Sequence, residues 1–167
     1  MQVRPIEEKD IRSCLDIYNY YIENTRFTFE IEPLTEAQFY DRVKRFSSRY
    51  PYIVCEKEGK VIGYAYLDPF GERYGYRYTA DLAIYVDKDC RGSGAGKALV
   101  DEIVRLALEQ TDIRDIIAVV TDENEASLRF HERNGFIEEG HLYKVGDKFG
   151  KRIGVVHMHR YLRPDTD

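Results

Sequence analysis

The sequence predicts an α/β fold, with a mixed, mostly antiparallel sheet of seven strands and helices on both faces. Three observations predict it. Two amphipathic helices and a hairpin fill the first half, strands alternate with helices in the second half, and a glycine-rich loop at 91–97 joins a strand to a helix. The 167 residues, 43% of them hydrophobic, suffice for one full core. We therefore expect a single domain over residues 1–167, with its core at about 3–162.

The first part of the chain carries signals for a strand and two helices. A short strand is expected at 2–5, and apolar residues at helical spacing predict a helix over 10–23. Those apolar residues are Ile11, Leu15, Tyr18 and Ile22. Thr35 and Gln38 have the spacing of a capping box, which predicts the start of a second helix.

Turn residues delimit the central strands. Strands are predicted over 52–56 and 61–67, and Glu58-Gly59 between them is typical of a hairpin turn. A loop over 68–76, rich in glycine and proline, leads into a strand over 78–86.

The last part of the chain alternates helices and strands. We expect a helix over 97–110, a strand over 113–120, a helix over 124–134, and strands over 136–145 and 153–162 that are separated by a glycine-flanked turn. Gly135 fits the position just after a helix end. The full predicted order is β-α-α-β-β-β-α-β-α-β-β.

The glycine loop predicts a phosphate or pyrophosphate site. Free amides in such a loop converge on an anion, and the helix behind it contributes its positive end. The spacing does not fit a Walker A loop or a dinucleotide fingerprint. Arg91, Gly94 and Gly96 instead fit Arg/Gln-x-x-Gly-x-Gly/Ala, and the loop thereby resembles the acyl-CoA pyrophosphate loop of the GCN5-related N-acetyltransferases (GNAT). The alternative is a glycine-rich turn before an ordinary helix.

Composition argues against several other classes. The net charge of −5 disfavours nucleic acid or an anionic membrane as the main partner. We see no apolar run long enough to cross a bilayer and no signal-peptide core at the first residues. Cys14, Cys55 and Cys90 suggest neither a disulfide framework nor a zinc site. We expect a cytoplasmic protein with no metal.

Beyond the loop, the element order is that of the GNAT fold, and the chain resembles the phosphinothricin and methionine-sulfoximine acetyltransferase branch over about Val3–Leu162. The stretches that carry the resemblance are 17–22, 29–33, 75–81, 84–86, 91–96, 127–131 and 146–150. Two departures stand out. Asp81 replaces the usual Glu, and Lys151–Gly154 replaces a tryptophan-containing segment in a chain without tryptophan. The second departure bears on the identity of the acceptor.

The resemblance implies an acetyl-CoA-dependent N-acetyltransferase that acts in a ternary complex on the amine of a small amino-acid-like acceptor. Acetyl-CoA would be a co-substrate, and the hairpin at about 138–152 would help form a homodimer. The residues implied to bind CoA are Ile84, Tyr85, Val86, Arg91, Gly92, Ser93, Gly94, Ala95, Gly96, Lys97, Asn124 and Ser127. Asn124 is equally suited to be a helix N-cap.

Two residues are the predicted catalytic groups. Strand alternation puts Asp81 on one face with Ala83 and Tyr85, so Asp81 is the predicted general base, acting through an ordered water. Its alternative is a surface strand carboxylate. The resemblance implies that His131 protonates the CoA sulfur, for which an imidazole is suited. Its alternative is a helix-surface histidine that contacts CoA without proton transfer.

Arg77, among Tyr74, Tyr76 and Tyr78, predicts a clamp for an α-carboxylate, with aromatic rings that exclude water. The other predicted acceptor-binding residues are Tyr76, Tyr78, Thr79, Phe27 and Phe29. The alternative for this tyrosine-rich stretch is packing or a subunit interface. His157 and His159 are interpreted as strand residues that face solvent or an interface, not as a metal site.

Two other functions remain open from the sequence. The chain could acetylate another amine, such as a peptide N-terminus or a polyamine, although Arg77 would repel a polycation. It could also be a non-catalytic acyl-CoA-binding module, although such a module needs neither Asp81 nor His131.

Overall fold

A computed structural model describes residues 1–165 of the chain. Within those residues there are seven strands and four α-helices, in the predicted order. The strands are β1 (Gln2–Pro5), β2 (Tyr52–Lys57), β3 (Lys60–Pro69), β4 (Thr79–Val86), β5 (Asp115–Thr121), β6 (Ile137–Lys148) and β7 (Lys151–Tyr161), and the helices are α1 (Ile11–Asn24), α2 (Glu36–Ser47), α3 (Ala95–Gln110) and α4 (Glu125–Arg133).

The strands follow the order β1-β2-β3-β4-β5-β7-β6. β1–β2, β2–β3, β5–β7 and β6–β7 are antiparallel, whereas β4 and β5 are parallel. The predicted mixed sheet is therefore confirmed. The β4–β5 register covers only Thr79–Asp81 against Asp115–Ile117, so β5 continues past its pairing with β4.

The chain is divided into two compact units, and β4 contributes residues to both. The first unit comprises 1–20, 34–68 and 83–112, and the second comprises 21–33, 69–82 and the chain from Ile113 onward. In the first unit α3 packs on β1 and β2, and its residues Leu99 and Ile103 are fully buried. The capping box of Thr35 and Gln38 is present at the start of α2.

A stack of tyrosines fills the rest of the first unit's core. The rings of Tyr52 and Tyr66, which are cross-strand partners, lie 4.6 Å apart, and Tyr64 lies beside both. The ring of Tyr85 on β4 stacks on Tyr18 of α1 at 4.9 Å. Burial raises the pKa of Tyr64 well above its ordinary value, so its hydroxyl remains neutral.

In the second unit α4 packs against β5, β6 and β7. Residues of β5 and β7 alternate between two faces, and one face is closed, with Ala118, Val120, Val156 and Met158 all buried. The other face contains Val119, which is 48% exposed, and its cross-strand partner His157, which is half-buried. We call this second face the open face.

Several predicted boundaries need correction. α3 begins at Ala95 and not at residue 97, because Gly94 adopts a left-handed conformation and caps it. β6 continues through Gly146 to Lys148, so the turn to β7 consists of Phe149 and Gly150, both with positive φ. Gly135 has φ of 85°, as predicted for the residue after a helix end. No helix within residues 1–165 is long and apolar enough to cross a membrane.

Candidate active site

The glycine loop of the first unit exposes backbone amides at the start of a helix. Gly92 and Gly94 have φ of 76° and 89°, conformations that side chains with a Cβ rarely adopt. The Gly94 carbonyl accepts the first helical hydrogen bond, from the amide of Ala98 at 3.1 Å. The amides of the first helical turn have no partner in their own helix and point out of its end.

The space beside the loop glycines is open. A Cβ added at Gly92 would meet nothing within 4 Å, and one at Gly94 would meet only the Met1 side chain at 3.7 Å. The glycines are therefore not required by internal crowding. They permit the left-handed backbone that turns the amides outward, and the positive end of the 16-residue α3 favours an anion there. Lys97 is exposed and pairs with Asp101 at 2.6 Å.

The end of β4 leads straight into this loop. Residues Ile84, Tyr85 and Val86 are half-buried, and the Tyr85 ring is held by Tyr18. Gly63 of β3 is needed beside this strand, because a Cβ there would lie 3.1 Å from the Tyr85 carbonyl oxygen.

At the start of α4, in the second unit, Asn124 acts as the N-cap. Its side-chain oxygen accepts a hydrogen bond from the Ser127 amide at 3.3 Å. The N-cap alternative from the sequence is therefore confirmed, while the contact of Asn124 with CoA stays a prediction.

His131 is only 2% exposed, so the alternative that placed it on the helix surface is wrong. Its Nδ1 lies 2.7 Å from the Ser127 carbonyl oxygen, which can only accept, so Nδ1 carries the proton and Nε2 has the lone pair. Nε2 is buried and has no hydrogen-bond partner among residues 1–165. Burial lowers the pKa of His131, which keeps the ring neutral near neutral pH, against a smaller opposing effect of the Ser127 carbonyl.

Asp81 lies on the open face. It pairs in register with Ile117, while its chain neighbours Ala80 and Leu82 are buried on the closed face. Cross-strand partners share a face, so Asp81 and Ile117 lie on the same side as Val119 and His157.

Arg77 is held by two of the three tyrosines that surround it in the sequence. Its guanidinium carbon lies 4.2 Å from the Tyr74 ring centroid and 4.3 Å from that of Tyr78. Tyr76 instead packs its ring against Phe70 at 5.2 Å. Arg77 and Tyr74 are both exposed, so the expected exclusion of water from this group is wrong.

The segment Arg26–Phe29 crosses one end of the open face through contacts that the sequence analysis missed. Arg26 pairs with Glu123 at 2.8 Å, and the buried Lys148 donates to the Thr28 carbonyl at 2.8 Å. The Phe29 ring occupies the space that a side chain at Gly146 would need. Burial lowers the pKa of Lys148. The residues that form these contacts are too far apart in the sequence for their spacing to predict them.

Of the two histidines on β7, His159 is in contact with several other side chains. The Nε2 of His159 lies 2.9 Å from Asp115, its Nδ1 lies 3.3 Å from Glu139, and its ring stacks on Tyr161. His159 is thus paired with two carboxylates, which are contacts that the sequence pattern does not predict. No group of His, Cys, Asp or Glu within residues 1–165 has the arrangement of a metal site.

The second unit therefore brings together Asp81, Thr79, the Arg77–Tyr78 stack, segment Arg26–Phe29 and α4, while the first unit holds the glycine loop and Ile84–Val86. Two surface grooves of the first unit contain none of the predicted site residues.

Three residue pairs join β4 and β5 in parallel, Asp81 lies in the last of these pairs, and in the chain β4 is followed by the glycine loop and α3. The chain belongs to the acetyltransferase (GNAT) family, whose family model matches residues 14–136. It is therefore an acetyl-CoA-dependent N-acetyltransferase.

Individual relatives refine this picture. The phosphinothricin N-acetyltransferase of Streptomyces viridochromogenes is 33% identical over 150 residues, which cover 90% of this chain and 81% of that protein. The structure of a phosphinothricin acetyltransferase from Sinorhizobium meliloti in complex with acetyl-CoA matches with a TM-score of 0.91 and 34% identity, over 96% of this chain and 88% of the other. A ribosomal-protein-alanine N-acetyltransferase from Brucella melitensis matches with a TM-score of 0.94 and 32% identity, over 97% and 100%.

Proposed function

We propose that this enzyme acetylates the amine of a small amino-acid-like acceptor of the phosphinothricin or methionine sulfoximine type, by direct attack in a ternary complex. The observation that carries the proposal is the Arg77 guanidinium, which is fixed between the rings of Tyr74 and Tyr78 just before the strand that bears Asp81. A planar guanidinium in a fixed position pairs bidentately with a carboxylate. Its place near Asp81 in the chain suits an acceptor with a carboxylate next to its amine.

Asp81 is the proposed general base. The acceptor ammonium must lose a proton before its nitrogen can attack, and we propose that the Asp81 carboxylate, on the open face with Ile117, receives this proton. Asp is one methylene shorter than the Glu of similar enzymes, so we propose that one ordered water carries the proton from nitrogen to Asp81. When bound, acetyl-CoA supplies the acetyl group.

His131 and the glycine loop complete the proposed machinery. The loop amides would hold the pyrophosphate, and Ile84–Val86 would bind the pantetheine arm. Asn124 and Ser127 of α4 are the other residues proposed to bind CoA. His131 is proposed to return a proton to the departing sulfur. The neutral ring has its proton on Nδ1, so this role requires a charged ring or a change of tautomer.

An acceptor screen with acetyl-CoA tests the proposal. Free amino acids, phosphinothricin and methionine sulfoximine are compared with the amide of each and with a tripeptide that begins with alanine, by thiol release. We expect turnover of amino acids with a free carboxylate and at least a severalfold loss with the amides. Equal turnover of acid and amide would rule out the Arg77 clamp.

A peptide N-terminus is the second candidate acceptor. It is favoured by the likeness to the ribosomal-protein-alanine N-acetyltransferase from Brucella melitensis. An N-terminal residue of a peptide has no α-carboxylate for Arg77, so preferential turnover of the alanine tripeptide in the same screen would favour this candidate.

We also propose a homodimer formed through β6, an edge strand in the sheet order. Large apolar residues on this strand and its turn are exposed, namely Ile137, Leu142, Tyr143, Val145 and Phe149. Exposed apolar side chains along an edge strand are typical of an interface. Sedimentation would give the mass of a dimer, and Val145→Lys should shift it toward the monomer. A single domain and a cytoplasmic location stay predictions from the sequence.

A further inference from the structure

The open face of the second unit has a bounded middle section. At one end it contains Asp81 and Ile117, and at the other end Phe29 lies against Gly146, the cross-strand partner of Ile153. Between these ends β5 contributes Val119, which is 48% exposed although both its neighbours are buried. We call this middle section, in which the Val119 side chain is exposed between the two ends on the same face as the proposed general base, the trough.

His157 is the one titratable residue in this middle section. It is the cross-strand partner of Val119. It lies two residues along β7 from His159, which is the cross-strand partner of Ile117. Within residues 1–165 it makes no hydrogen bond or ion pair, unlike His159 and His141, which both contact carboxylates. From strand spacing, the Cα atoms of Asp81 and His157 lie roughly 12 Å apart.

Thr121 provides the second, independent observation. It lies two residues beyond Val119 on the same face of β5 and is only 4% exposed. Its hydroxyl is buried with no hydrogen-bond partner among the described residues. Buried hydroxyls are normally paired, and an unpaired one at the edge of a trough indicates a partner supplied from outside the chain.

We infer that His157 and Thr121 bind the polar end of the acceptor's side chain and thereby determine which amino acid is acetylated. This inference rests on the proposed function. The acceptor amine would lie toward Asp81, and its side chain would extend along the trough over Val119. His157 and Thr121 lie at diagonal positions about 7–8 Å apart, so one terminal group can reach both side chains.

The chemistry of the two side chains selects an acceptor class. A hydroxyl and a neutral imidazole can each donate or accept one hydrogen bond, which suits a side chain that ends in oxygen or imine nitrogen. An apolar side chain of the same length would leave the Thr121 hydroxyl unpaired. A site built for hydrogen bonds discriminates strongly against an analogue that lacks them.

The test compares L-methionine sulfoximine with L-methionine, which has the same carbon–sulfur skeleton without the polar end. The ratio of their kcat/KM values is measured for the wild type, His157→Phe, His157→Gln and Thr121→Val. We expect the wild type to prefer the sulfoximine, and His157→Phe and Thr121→Val each to reduce the preference at least tenfold. His157→Gln, which retains a donor, should recover part of it, and acetyl-CoA affinity should be unchanged in all four proteins.

The matched control is His141→Phe, because His141 lies in register with the closed-face residue Val156 and contacts Asp122. It should leave the preference unchanged. A preference that persists in both His157→Phe and Thr121→Val would overturn this inference and leave the proposed function intact. A wild type that acetylates neither compound nor any other free amino acid would overturn the proposed function, and this inference with it.

Discussion

In the glycine loop of the first unit, the groups that would meet an anion are backbone amides, and they all come from the consecutive residues 91–97. On the open face of the second unit, the groups that would meet an acceptor are side chains of Asp81, Thr121 and His157, on three different strands. The loop can therefore be recognised from a short local pattern. The open face forms only when the strands have paired. The acceptor that binds there is therefore harder to identify from the sequence than the ligand of the loop.

The largest expected effect on kcat/KM comes from removing the proposed general base on the open face while the glycine loop is left unchanged. Asp81→Asn removes the proposed base and should lower kcat/KM by about 10²–10⁴, the usual scale for general-base catalysis. Acetyl-CoA affinity, measured by calorimetry, should stay unchanged. Asp112→Asn, an exposed carboxylate in the first unit, is the control and should behave as the wild type. An Asp81→Asn enzyme that retains the wild-type rate and pH profile would refute the assignment.

The converse experiment changes the backbone of the glycine loop while the open face is left unchanged. Gly94→Val forces a β-branched residue into φ of 89° and displaces the amides, so acetyl-CoA affinity should fall at least about tenfold, or ~1.4 kcal/mol. Gly59→Val is the matched control, since Gly59 has φ of 76° and open space around it in the β2–β3 turn. Both variants should lose stability, but only Gly94→Val should lose acetyl-CoA binding in calorimetry.

A smaller effect is expected at Arg77, because this guanidinium is exposed and not buried. Arg77→Met should lower kcat/KM for an amino acid about fivefold, the upper range for an exposed charge pair, and should not change the rate with its amide. Arg73→Met, on the same exposed loop, should change neither rate. If Arg77→Met lowers both rates equally, the residue stabilises the loop and does not recognise a carboxylate.

The smallest effect concerns stability and His131. Burial lowers its folded-state pKa, so the unfolded chain binds a proton more readily as pH falls below the ordinary value near 6.5. The contribution of His131 to the free energy of unfolding should therefore be fully present above that value and should be lost as the pH falls below it. In urea titrations at decreasing pH, His131→Phe should lose less stability than the wild type.

The sequence predicts the backbone-encoded features of this chain well. The capping box at Thr35, the left-handed Gly135 and the buried faces of α1 and α3 follow from local patterns that determine hydrogen bonding or burial directly. The glycine loop and the family follow from the same kind of local signal.

Long-range side-chain pairing is what the sequence could not supply. The hydrogen bond from Lys148 to the Thr28 carbonyl and the pairing of His159 with Asp115 each join segments that are distant in the sequence. No helical or strand periodicity predicts such contacts. The expected exclusion of water at Arg77 was wrong for another reason: the adjacent tyrosines suggested a dry pocket, but the guanidinium lies against the rings of Tyr74 and Tyr78 at an exposed position.

The tyrosine stack of the first unit has a spectroscopic consequence. The chain has 14 tyrosines and no tryptophan, so its intrinsic ultraviolet emission comes from tyrosine alone. A tryptophan placed at Phe46, whose ring stacks on Tyr66 at 5.2 Å, would collect excitation energy from the neighbouring phenol rings and emit at a longer wavelength. Such a Phe46→Trp protein would carry a single tryptophan, whose emission would report locally on whether the first unit is folded.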